Sequence, residues 1–189
     1  PSTIDGLAIR QDFPIFQQPA SDGRVPLVFL DSAASSQRPA VVIDTVSDFY
    51  SRTNANIHRG VYQLSEQATL RYEEARHIAA QFINAANPRE CVFVRNTTEA
   101  INLVASSWGR ANLNPGDRIL LSVMEHHSNL VPWQMIAEER GAIIDYIPLT
   151  GDQRLDMEAF DTLLKNEPKL VGITHVSNAT GTINPIAEI

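Results

Sequence analysis

Three apolar, strand-like runs in this chain each end in a cluster of polar, chemically capable residues. Cys91-Val92-Phe93-Val94 leads into Arg95-Asn96-Thr97-Thr98-Glu99, and the run at 118–123 leads into Met124-Glu125-His126-His127-Ser128-Asn129. The run at 170–174 leads into His175-Val176-Ser177-Asn178. Helical patterns separate the runs. One spans about 98–108, with Ile101, Ala105 and Trp108 on one face, and others span about 129–140, closed by Gly141, and about 157–166. A further strand-like run covers 143–147. Strand–helix alternation at this spacing means βαβ units, hence an α/β fold with a mostly parallel sheet and flanking helices. The carboxyl ends of such strands line the crevice that takes ligands. Three equipped loops on one sheet edge are the layout of a small-molecule site.

The first 89 residues follow a different pattern. Residues 1–26 read as a polar N-terminal arm, broken by Pro14, Pro19 and Pro26, with a turn at Ser21-Asp22-Gly23. Residues 27–89 read as a helical segment. It opens on a short strand, Val28-Phe29-Leu30, that ends in Asp31-Ser32-Ala33-Ala34. Pro39 then suits the first turn of a helix carried by Ile43, Val46, Phe49 and Tyr50. Ser65 suits the N-cap of a second helix, with an apolar stripe of Ala68, Tyr72, Ala75, Ala79 and Phe82. Between them lies the irregular, polar Asn56-Ile57-His58-Arg59-Gly60. The regular alternation fills 90–189, and 181–189 reads as a loop entering a helix that stops short. Four strands would leave a parallel sheet edge uncovered, whereas parallel sheets are buried on both sides. The chain is therefore expected to be the first part of a larger protein.

Composition narrows the function. A net charge of −7 over 189 residues provides no basic stripe to neutralise nucleic-acid phosphates. No apolar run approaches the roughly 20 residues that span a bilayer. The start, Pro1-Ser2-Thr3-Ile4-Asp5, has neither the basic nor the apolar region of a signal peptide, so the expected home is the cytoplasm. Cys91 is the single cysteine, which excludes an intramolecular disulfide and any multi-cysteine metal site. Its apolar setting suits an inert packing thiol. His126 and His127 are adjacent and do not share a face, so no metal site is expected. The nine glycines form neither a P-loop nor a dinucleotide fingerprint.

The candidate site residues each have a functional and a plain reading. Thr97 and Thr98 sit where a helix starts, with free N–H donors and the positive dipole end, which suits a phosphate. The plain alternative is a helix cap, with Glu99 favouring the dipole. His126 could act as acid or base or lie against an aromatic ligand ring, or be a satisfied surface histidine. Asn178 offers a donor and an acceptor, or simply a turn before Thr180-Gly181. His58 and Arg59 could meet a substrate carboxylate or a neighbouring subunit, or be solvated. Lys165 and Lys169, the only lysines, sit at a polar helix end, where desolvation cannot make either a nucleophile.

Together the motifs Asp31-Ser32-Ala33-Ala34, Ile57-His58-Arg59-Gly60, Val94 to Glu99, Met124 to Asn129 and Thr174 to Asn178 resemble the pyridoxal-phosphate cysteine desulfurases of the SufS/CsdA type, within the class V aminotransferase fold. The resemblance runs from about residue 10 to the end. It implies the large domain of a PLP-dependent transferase of the aspartate aminotransferase-like kind, truncated here. It also implies conversion of L-cysteine to L-alanine, with the sulfur left as an enzyme persulfide for Fe–S cluster assembly. By the same resemblance Thr97 and Thr98 bind the phosphate of pyridoxal 5'-phosphate, while His126 stacks on its ring and takes part in proton transfer. Asn178 contacts the cofactor or the substrate carboxylate region. Ala33 and Ala34 border the substrate pocket, and His58 and Arg59 lie near its entrance, in a homodimer that hands sulfur to a SufE/CsdE-like acceptor protein or a scaffold. An organelle stroma such as the plastid's is the corresponding home for a eukaryotic member whose transit peptide has been removed.

The family's Schiff-base lysine, in a Ser-x-His-Lys segment, and its nucleophilic cysteine have no counterpart in these residues, so the chain alone is expected to be inactive. Rival readings are another class V enzyme (a selenocysteine lyase, or kynureninase- or epimerase-like chemistry) and a non-catalytic module that binds a ligand or partner.

Overall fold

The computed structural model describes residues 4–18 and 27–189. The breaks at Pro19 and Pro26 and the turn at Ser21-Asp22-Gly23 lie outside the described residues. The chain divides into two compact units, Pro1–Val92 and Phe93–Ile189.

In the first unit the polar arm contains a helix. Asp5 Oδ1 accepts the N–H groups of Leu7 (3.0 Å) and Ala8 (3.1 Å), and this cap starts α1, Gly6–Arg10. Val28-Phe29-Leu30, expected as a strand, is not one: Val28 and Leu30 are solvent-exposed. Apolar composition raises strand propensity, but a strand exists only where a partner accepts its ladder. Pro39 is the N-cap of α2, Ala40–Asp48, which runs on through a π-helical turn, Phe49–Thr53.

Helix α3 spans Gln63–Phe82 and starts before the expected cap. Tyr62 is the N-cap, whereas Ser65 is buried in the first turn, where its Oγ donates to Asn56 O at 2.7 Å. The expected stripe is also displaced. Ala68 and Ala80 are buried, Tyr72 and Arg76 half-buried between them, and Phe82 is 90% exposed. The buried line thus follows i, i+4 spacing through 68, 72, 76 and 80. Arg76 belongs to it because its guanidinium lies over the Tyr72 ring, 5.1 Å from the centroid.

The second unit is a three-stranded parallel sheet in the order β2-β1-β3, where β1 is Arg118–Ser122, β2 Ile143–Ile147 and β3 Leu170–Gly172. Leu120 faces Asp145 on one side and Val171 on the other. Successive residues of β1 supply opposite faces. Ile119 and Leu121 join Trp133, Ile136 and Ala137 in one core, and Leu120 joins Ile147, Leu155 and Phe160 in the other. Burial on both faces is the signature of a central parallel strand.

Helix α4, Thr97–Val104, continues through a π turn, Ala105–Gly109, into α5, Arg110–Asn112. Helix α6, Val131–Arg140, packs on the same core and ends at Gly141, whose φ of 71° is the left-handed cap the sequence predicts. Helix α7, Met157–Leu164, covers the opposite face through Phe160.

Two strand expectations need correcting. The segment 91–94 is not a strand of the sheet, so the described strands number three rather than four, and β3 stops at Gly172 rather than 174. Cys91 is half-buried rather than buried. The segment 181–189, expected as a loop entering a helix, ends in a turn in which Glu188 N and Ile189 N donate to Pro185 O. No helix among the described residues is long and apolar enough to cross a membrane.

Candidate active site

The site lies in the second unit, at the carboxyl ends of the strands. A cleft of about 450 Å³ opens between the start of α4, the loop after β1 and the end of β3. Thr97, Glu125, His126, Asn129, Trp133 and Thr174 are among the residues that line it. Its volume falls within the range that accommodates small ligands and cofactors. Thr98 lines an adjoining cleft of about 280 Å³ together with His126 and His127.

At the start of α4 capping and ligand binding turn out to be compatible. Asn96 is the N-cap, and its Oδ1 accepts the Glu99 N–H at 2.9 Å. Among the described residues no protein group takes the N–H groups or hydroxyls of Thr97 and Thr98. Glu99 is drawn aside by Arg95, whose backbone N–H (2.7 Å) and Nε (3.0 Å) both donate to Oε2. Those bonds hold the Glu99 carboxyl below its ordinary pKa. The helix terminus therefore presents neutral donors, and the one carboxylate in its first turn is already satisfied, which suits an anion.

His126 is exposed on the loop that leaves β1. Its Nδ1 accepts the Ser128 N–H at 3.1 Å and lies 2.8 Å from Ser128 Oγ. A backbone N–H cannot reverse its role, so the neutral ring carries its proton on Nε2. His127 is also exposed, its ring centroid 6.1 Å from that of His126 and tilted by 58°.

Beneath His126 lies a residue that the sequence analysis did not single out. Glu125 is buried, at 8% exposure, and three donors converge on it. Ser122 Oγ (2.6 Å) and Thr174 N (2.7 Å) donate to Oε1, and Asn129 Nδ2 donates to Oε2 at 2.9 Å. Asn129 is itself oriented by Trp133, whose Nε1 donates to Oδ1 at 2.9 Å. An acidic residue at a strand end next to a histidine was a usable signal. Its donors, however, come from three separate segments, one of them 49 positions away.

Asn178 does not border either cleft. It is exposed in the turn 178–180, where Ser177 Oγ accepts the N–H groups of Ala179 and Thr180. Neither lysine lines the clefts: Lys169 Nζ is paired with Asp117 at 2.7 Å, at the amino ends of the strands, and Lys165 caps α7. No group of three or more metal-ligating side chains occurs among the described residues.

The remaining candidates belong to the first unit. Ala33 and Ala34 are exposed in a turn in which Asp31 O accepts the N–H groups of Ala34 (3.1 Å) and Ser35 (3.0 Å). His58 has a left-handed backbone, φ 69°, a conformation that costs a non-glycine residue roughly 1–3 kcal/mol. Thr69 Oγ1 accepts its N–H at 2.9 Å, its Nε2 lies 3.4 Å from Glu73 Oε1, and its ring meets the Tyr72 ring edge-on. Arg59 is exposed.

Known proteins resemble the chain over most of its length. The family Aminotransferase class-V matches residues 28–189. The chain is similar to a probable cysteine desulfurase of Synechocystis sp., with 52% identity over 96% of this chain and 43% of that protein. Among solved structures, the apo structure of the cysteine desulfurase from Thermococcus onnurineus NA1 superposes with a TM-score of 0.86 at 36% identity, over 99% of this chain and 44% of that one. The cysteine desulfurase CsdA of Escherichia coli superposes with a TM-score of 0.79, also at 36% identity, over 98% and 45%. The chain thus spans less than half the length of the relatives it matches.

Proposed function

The chain belongs to the class V aminotransferase family, and on that premise we propose that it serves a pyridoxal-phosphate-dependent cysteine desulfurase of the SufS/CsdA type. The observation that carries the proposal is the pairing, in adjoining clefts, of the unclaimed donors of Thr97 and Thr98 with the ring of His126. Phosphate binding needs donors without a competing carboxylate, and the arrangement at Asn96 and Glu99 provides that. When bound, pyridoxal phosphate supplies an electron sink for charge that develops at the substrate Cα.

The chain's own residues have simpler tasks. Thr97 and Thr98 anchor the phosphate. His126 presents its ring to the cofactor, with Nε2 as the nitrogen free to hold or move a proton. Ala33, Ala34, His58 and Arg59 are assigned to the substrate side by the family resemblance, and Asn178, which borders neither cleft, is left out of the assignment. L-cysteine is the substrate, its sulfur passes to a SufE/CsdE-like acceptor or scaffold for Fe–S cluster assembly, and the active form is a homodimer in the cytoplasm. In this reading the amine that carries the cofactor and the thiol that takes the sulfur come from sequence outside residues 1–189.

Borohydride reduction of the full-length protein, followed by intact mass measurement, tests the proposal together with an assay for alanine formed from cysteine. A reduced pyridoxal-phosphate adduct with stoichiometric alanine is the expected result. No adduct and no alanine would overturn it.

A further inference from the structure

Glu125 is a buried carboxylate with no part in the roles given above, and its bonds tie the loop that carries His126 to the end of β1 and to the segment past β3. We propose that Glu125 is a positioning residue of the site, one that fixes the loop 123–129 and through it the orientation and tautomer of the His126 imidazole. The inference rests on the reading that His126 faces the cofactor.

The argument is one of hydrogen-bond direction. Trp133 can only donate, so Asn129 must turn Oδ1 toward it and Nδ2 toward Glu125. The Thr174 backbone N–H can only donate as well. The group at the centre must therefore accept from at least two sides, and an ionised carboxylate does so with both oxygens. The same carboxylate joins the end of β1, through Ser122, to the segment just past β3, through Thr174. Asn129, held on one side by Glu125, donates its backbone N–H to His126 O at 2.8 Å. Its neighbour Ser128 supplies the N–H that sets Nδ1 as the acceptor. Loss of the carboxylate thus releases the donor that decides which imidazole nitrogen carries the proton.

The test is made in the full-length protein. Glu125→Gln keeps the side-chain shape but puts an NH2 group against either Asn129 Nδ2 or the Ser122 and Thr174 donors. Asn129 cannot relieve the clash by turning over, because Trp133 holds its oxygen. Asn129→Asp in the Glu125→Gln background restores an acceptor to both Trp133 and the new amide.

Three readouts are taken: kcat and KM for cysteine, the visible circular dichroism of the bound cofactor, and the 15N shifts of the His126 ring in the cofactor-free protein. The single variant is expected to lose about a hundredfold in kcat, the cost of a misplaced group, with KM within about threefold. Its visible dichroism should weaken and its ring depart from the Nε2–H form, and the double variant should restore all three. An unchanged ring tautomer and dichroism in Glu125→Gln would overturn the proposal. So would a double variant that regains thermal stability but neither the tautomer nor kcat. The ring measurement needs no cofactor, so a wild-type protein without desulfurase activity refutes the proposed function separately.

Discussion

Individual atoms decide how the site is built. Asn96 acts as the cap and thereby leaves Thr97 and Thr98 free, so the two rival sequence readings of that motif describe neighbouring residues. Thr98→Ala in the full-length enzyme is expected to weaken cofactor affinity about ten- to a hundredfold, the effect of one hydrogen bond to a charged group. Titration of the apoprotein with pyridoxal phosphate reads it, and an unaltered affinity would return Thr98 to a purely structural role. His126→Ala is expected to slow turnover and to alter the cofactor spectrum, and an unchanged rate and spectrum would refute its assignment. Gly172 makes a further prediction. A Cβ there would stand 2.9 Å from Leu121 Cδ2 in the core and 3.3 Å from Asn129 Nδ2. Gly172→Ala should therefore cost about 1–3 kcal/mol, as overpacking does, and disturb the site at the same time. A denaturation midpoint equal to that of wild type would show that both neighbours move aside freely.

At the scale of elements, the amino ends of the strands are clamped by charge and the carboxyl ends are left to the ligand. Lys169 pairs with Asp117 at 2.7 Å and Arg118 with Asp145 at 2.7 Å. The Lys169 bond, helped by the Asn114 N–H, holds the Asp117 carboxyl below its ordinary pKa. A group whose pKa is depressed on folding contributes stability that is complete above its unfolded value and lost as pH falls through the folded one. The Asp117→Asn variant should therefore melt below wild type near neutral pH, and the gap should close as pH drops below about 4. A gap that stays constant between neutral and acid pH would show that the pair is not its source.

The elements also show where sequence patterns were sufficient. β1, β2, α6 and its Gly141 cap could be read locally, because alternation and cap chemistry are written within a few adjacent residues. Residues 28–30 and 91–94 carry the same strand-forming composition without being strands of the described sheet. The difference lies in neighbours, since a parallel strand is stabilised by ladders and packing that other segments provide.

Across the whole molecule, large apolar side chains stand in solvent in both units: Val61 is 97% exposed, Phe82 90% and Ile183 72%. Extensive apolar exposure marks surfaces that associate or aggregate. A polypeptide of these 189 residues alone is expected to bind a hydrophobic dye strongly and to precipitate at concentrations where the full-length protein stays clear. Equal dye binding by the two would mean that the remaining sequence does not cover these side chains.

The amino-acid sequence by itself determined the α/β class, the strand–helix alternation, and the placing of Thr97, Thr98 and His126 in polar segments that follow apolar runs. The alternation and the polar segments are read from spacing within short stretches of the chain. Only the tertiary structure decided that Asn96 rather than a threonine caps α4, that Arg76 completes the buried line of α3, and that Asn178 lies outside the clefts. It also decided that Glu125 holds the site together, for its partners Ser122, Asn129 and Thr174 are brought to one carboxylate only when β1 and β3 dock. A hydrogen bond across 49 residues leaves no local trace in the chain, because it is formed by packing rather than by the preferences of either residue.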